Sequence, residues 1–168
     1  MMKKMFLLLM FLPMLASSQV VNTVCGAKFG SSYSEVVGAL KNVYGMTDES
    51  FYQKDKIMYF GKNFEGVLFD GLVFKFVGTN STRKFSEALF IASYKTDNEA
   101  FDMREKLINS MSKTFNIKKI TDSDGYVTYY GGSSPTDNSK YGFQIYISSG
   151  DGEYPFTLNL EFGPYDYQ

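Results

Sequence analysis

The chain has 168 residues with 17 basic and 18 acidic side chains, one cysteine and no histidine. Near-neutral charge, with no basic stretch longer than the pairs Arg83-Lys84 and Lys118-Lys119, lacks the electrostatic footprint of a nucleic-acid binder. The missing histidine excludes Ser-His-Asp and Cys-His nucleophile pairs and most zinc sites.

The first 18 residues read as a signal peptide. Lys3 and Lys4 form a positive n-region, Met5 to Leu15 an apolar stretch interrupted by Pro13, and Ala16-Ser17-Ser18 the small residues that a signal peptidase reads. Cleavage is predicted after Ser18, leaving residues 19–168 as one domain of net charge −3. The apolar run falls short of the roughly 20 residues a membrane helix needs, so the expected protein is exported, periplasmic or extracellular, and not membrane-spanning. About 150 residues can bury a core without disulfides. Cys25 is therefore either buried or free to pair with another molecule; its distance from the apolar run argues against lipidation.

From Ser31 the pattern turns helical. Ser32 and Glu35 have the spacing of a capping box, Val36, Val37, Leu40, Val43 and Tyr44 follow at helical spacing, and Gly45 stands where a helix ends. Met46 to Lys56 reads as a loop, and Ile57 to Phe60 as a strand closed by Gly61. A long hairpin follows, Glu65 to Val77 and Phe85 to Tyr94, around a polar turn containing the glycosylation sequon Asn80-Ser81-Thr82. A second capping box, Thr96 with Glu99, opens a helix with the apolar stripe Phe101, Ile108, Met111 and Phe115. Asp122 to Gly125 reads as a turn, since the further ligands of a calcium loop are missing. The strand Tyr126 to Tyr130 then stops at Gly131-Gly132, and the last hairpin pairs Tyr141 to Ser149 with Tyr154 to Phe162.

Side by side, the halves repeat: capped helix, strand ending in Tyr59-Phe60-Gly61 or Tyr129-Tyr130-Gly131, long hairpin. The expected fold is α+β, an antiparallel sheet built from two α-β-β-β repeats, about 29–95 and 96–163, with both helices packed on one face. Phe29-Gly30-Ser31, Ser34-Glu35-Val36, Leu40 and Tyr44-Gly45, with this strand order, resemble the helix-then-three-strand units of the beta-lactamase-inhibitor-protein-like superfamily and related small outer-membrane assembly lipoproteins. The resemblance implies an exported protein-binding module without catalysis.

The last hairpin alternates cleanly: Phe143, Ile145, Ile147, Phe156, Leu158, Leu160 and Phe162 on one side, Gln144, Ser148, Thr157, Asn159 and Glu161 on the other. The first hairpin does not. Leu68, Leu72, Phe74 and Phe76 are assigned to one face, and Val67, Phe69, Val73 and Val77 to the opposite face, leaving both apolar. Exposed, each of the latter four forgoes about 1.5–3 kcal/mol. Their cover is expected from the Val20 to Phe29 segment, from a protein partner or twin subunit, or from a small apolar ligand. Tyrosines crowd the region after residue 120, and Tyr129, Tyr130 and Tyr146 join Val67, Phe69, Val73 and Val77 as the candidate interface.

No phosphate-binding glycine motif, cofactor or metal site is read from the chain. The strand carboxylates Asp70, Glu87 and Glu161 are the only acid–base candidates, ordinary as solvent-face residues. The expected function is a non-enzymatic envelope binding module that engages a protein, itself or a partner, through a sheet face. The alternative is a carrier of a small apolar ligand or glycan in an aromatic cleft.

Overall fold

The computed structural model describes residues 19–45, 52–53, 55–79 and 82–167. The predicted leader, most of the loop after the first helix, and Asn80 and Ser81 of the sequon lie outside the described residues. A two-stranded ribbon, β1 (Thr23–Val24) and β2 (Ala27–Lys28), precedes helix α1 (Tyr33–Tyr44). Next come β3 (Tyr52–Gln53), β4 (Lys56–Phe64), β5 (Val67–Val77) and β6 (Lys84–Tyr94). Helix α2 (Asp97–Met111) leads to β7 (Ile117–Thr121), β8 (Val127–Ser133), β9 (Tyr141–Asp151) and β10 (Tyr154–Phe162).

All strands from β3 onward form one antiparallel sheet in the order β3-β4-β5-β6-β10-β9-β8-β7. Seven of them have five residues or more; β3 is a two-residue eighth strand at one edge. This corrects the expected fold. Among the described residues the structure is mostly β, with 49% strand against 20% helix, and an α+β domain of two α-β-β-β repeats with both helices on one face is not supported. A short edge strand follows each helix before the longer ones, β3 after α1 and β7 after α2. Neither has the apolar alternation that marks a strand in sequence: β7, Ile-Lys-Lys-Ile-Thr, is exposed at four of its five positions.

Both helices start where their capping boxes put them. The Ser32 N–H donates to Glu35 Oε2 at 2.8 Å, and the Thr96 and Glu99 N–H groups reciprocate through Glu99 Oε2 and Thr96 Oγ1 at 3.2 Å each. Gly45 ends α1 at φ +79°. Val36 and Leu40 from α1, and Leu107, Ile108 and Met111 from α2, enter a single core cluster with Phe74, Phe90, Leu158 and Leu160.

The first hairpin departs from strict alternation. Val67 and Phe69 are buried, then Leu72, Phe74 and Phe76, so the buried face changes phase at Asp70-Gly71. Opposite Gly71 stands Phe60, beside Gly61 at φ +59°, a backbone conformation glycine adopts without strain. Beyond these glycines the β4–β5 end turns over the core. Phe64 sits edge-on to Phe90 at 5.1 Å, Phe69 lies 5.6 Å from the same ring, and the Glu65 carboxylate accepts from the Ser110 hydroxyl of α2. Asp70 Oδ2 accepts the Ser93 N–H at 2.7 Å across the bend. Val67 and Phe69 are therefore core residues, and the sheet's other side is less apolar than the alternation rule implied.

The N-terminal segment supplies further core. Val21, Val24 and Phe29 are buried; Phe29 stacks on Phe85 at 4.4 Å and meets Tyr165 edge-on at 4.5 Å. Val21 presses against Gly132 and Gly142, where an added Cβ would lie 2.5 and 2.4 Å from its Cγ2. The glycines read as a strand stop are instead packing positions, and β8 runs on through them to Ser133, whose backbone pairs with residues 19–21.

Candidate functional site: the second face of the sheet

Ladder register fixes which side chains share the face away from the core. One row across it runs Met58, Val73, Leu89, Glu161, Gln144, Tyr130; the next runs Phe60, Gly71, Ile91, Asn159, Tyr146, Thr128. The β4–β6 half is apolar and the β10–β8 half polar and aromatic. Met58, Phe60, Val73, Leu89 and Ile91 stay outside the core cluster and remain half-buried or exposed.

The polar half is tied together. Glu161 Oε2 accepts from Gln144 Nε2 at 2.7 Å and from the Tyr146 hydroxyl at 3.4 Å, and Asn159 Nδ2 donates to Ser148 Oγ at 2.9 Å. Burial, and then the Glu161 charge beside it, raise the Tyr146 phenol above its ordinary pKa. Tyr130 stacks on Tyr141 with centroids 4.8 Å apart. At the margin Lys56 stands opposite Lys75, whose ammonium pairs with the Glu87 carboxylate.

The seven expected interface residues thus separate. Val73, Tyr130 and Tyr146 share the second face. Val77, 42% exposed, lies at its end opposite Lys84. Val67 and Phe69 are in the core. Tyr129 packs on the core side, its ring centroid 5.0 Å from the Arg104 guanidinium. Sequence reasoning missed Leu89 and Ile91, although their alternation with Ala88, Phe90 and Ala92 carries the same two-sided apolar signal as β5. It also missed Met58 and Phe60, which it placed on the strand Ile57 to Phe60 without assigning them to a face.

The remaining candidates have structural partners. Asp70 is bonded to the Ser93 N–H, Glu87 to Lys75 and Glu161 to Gln144. Asp122 Oδ1 accepts from the Asp124 and Tyr126 N–H groups at 3.0 and 2.9 Å, closing the expected turn. Cys25 Sγ lies 3.0 Å from the Tyr44 hydroxyl, and burial pushes its thiol pKa up to about 12. Among the described residues no three His, Cys, Asp or Glu side chains meet as a metal site requires, and no helix is long and apolar enough to cross a membrane. Compared with family models, curated proteins and solved structures, the chain has no significant match to any of them.

Proposed function

We propose that the protein is an exported, non-catalytic binding module of the cell envelope that engages a protein, itself or a partner, through the second face of its sheet. One observation carries this reading: Met58, Val73, Leu89 and Ile91 form an apolar centre on adjacent strands, outside the core and bordered by hydrogen-bonded polar side chains. A soluble chain leaves such a face open to water at a cost in stability, which a partner surface removes. The Lys75–Glu87 pair and Glu161 supply charge at the margin, where it selects among partners more than it adds affinity. The leader predicted at residues 1–18 and the resemblance to beta-lactamase-inhibitor-like proteins point the same way. The absence of histidine removes the commonest catalytic alternatives.

The test is the hydrodynamic mass of the protein in a native extract. Wild type should elute as a complex, homomeric or with a partner, and Val73→Lys plus Ile91→Lys should elute as a folded monomer. Wild type eluting as a monomer overturns the reading.

A further inference from the structure

A groove separate from that face lies at the end of the sheet, where the start of α2 meets the ends of β8, β9 and β10. It encloses about 390 Å³, near the lower end of the roughly 300–1,000 Å³ typical of small-molecule sites. Its walls are largely apolar, with Phe101, Tyr126, Ile147 and Phe156 among them. Phe101 belongs to the apolar stripe read for α2, yet it stands 42% exposed beside the groove, and Tyr126, also lining it, is 68% exposed.

Arg104 is the one charged residue among the described residues lining this groove. Its guanidinium carbon lies 5.0 Å from both the Phe101 and Tyr129 ring centroids, and its side chain is only 14% exposed. One terminal nitrogen reaches Glu105 Oε1 at 3.3 Å, on a carboxylate side chain 53% exposed, while the Nε–H is buried without an acceptor. A guanidinium presents five donors in a planar fork. Covering the part of the guanidinium that lines the groove with a neutral apolar ligand would strip its donors of water and give them no acceptor. A carboxylate offers acceptors to the terminal nitrogens of the fork, and an apolar chain or ring behind it fills the remaining groove.

We propose that this groove binds a small monocarboxylate with an apolar body, its carboxylate on Arg104 and its body against Phe101, Tyr126 and Phe156. The site is independent of the protein interface proposed above and stands or falls separately.

The test uses residues 19–168, titrated with octanoate and 3-phenylpropanoate and with the corresponding alcohols, and read by calorimetry and amide chemical shifts. Both acids should bind saturably, with shifts centred on residues 101–104, 126–127 and 147–149. The alcohols should bind at least tenfold more weakly. Arg104→Gln should abolish the preference for acid over alcohol, and Arg104→Lys should keep part of it. No saturable binding of either acid, equal binding of acid and alcohol, or shifts centred elsewhere overturns the proposal. Should Arg104→Gln fail to fold, the acid–alcohol comparison on wild type, together with weakened acid binding in Phe101→Ser, decides alone.

Discussion

Phe69 and Val73 lie four residues apart on one strand, a spacing that strict alternation places on a single face, yet the bend at Asp70-Gly71 sends them to opposite sides. Introducing lysine at each separates these descriptions. Phe69 is 0% exposed, with its ring 5.6 Å from Phe90. Its truncation alone costs about 3–5 kcal/mol. An unpaired ammonium adds several kcal/mol more, because its desolvation meets no compensating charge. The total exceeds about 5 kcal/mol, as much as the whole stability of a weakly stable domain. Val73 is half-buried outside the core, so Val73→Lys gives up only part of the roughly 1.5–3 kcal/mol of full valine burial, and the lysine head reaches water. Urea unfolding followed by far-UV circular dichroism should show Phe69→Lys unfolded or nearly so in buffer, and Val73→Lys folded, with a loss of about 1 kcal/mol. Equal losses for the two variants would refute the bend and restore a uniformly alternating strand.

Three further outcomes are expected. Burial raises the Cys25 thiol to about 12 and the Tyr94 phenol to about 12, and raises the Tyr44 and Tyr165 phenols as well. The unfolded chain therefore releases these protons first, and stability, complete below about pH 8, should fall from about pH 9 through Cys25 and from about pH 10 through the tyrosines, by at most about 1.4 kcal/mol per pH unit for each group. Thermal melts between pH 7 and 11 check this, and a flat profile would contradict it. Gly131→Ala places a Cβ 2.2 Å from Phe143 Cζ, on a ring held by Phe115 and Phe162 at 5.2 and 5.7 Å. It should cost about 1–3 kcal/mol by overpacking, whereas Gly38→Ala on α1, with no atom within 4 Å, should stabilise by about 0.5–1 kcal/mol. Removing the α2 cap with Thr96→Ala should cost about 1 kcal/mol and lower Tm by about 2–4 °C in calorimetry.

What could be read in the sequence was what local rules determine. Each capping box involves two residues three apart, so α1 and α2 begin where Ser32 and Thr96 place them. The last hairpin keeps its alternation because β9 and β10 pair without a register shift, and its apolar side carries the buried Phe143, Ile145, Leu158, Leu160 and Phe162. Glycines were the main source of error, because a glycine that ends a strand and a glycine that accepts a packing neighbour look alike in sequence. Gly61 permits a bend, while Gly131 and Gly132 admit Phe143 and Val21; in each case the strand continues past the expected stop. The second face was half legible: Val73, Tyr130 and Tyr146 belong to it, but Val67 and Phe69 crossed to the core with the hairpin end. Arg104 could not be singled out, since a mid-helix arginine has no local signature and its ring neighbours come from different elements.

The central claim is that the second face of the sheet meets another protein chain, and a photo-crosslinker at position 73 in the cells that make the protein tests it most directly. Val73→benzoylphenylalanine should yield a discrete adduct that disappears when Leu89→Lys and Ile91→Lys are added, and the same probe at Asn109 on α2 should yield none. No adduct from position 73, or equal adducts from both positions, would contradict the account.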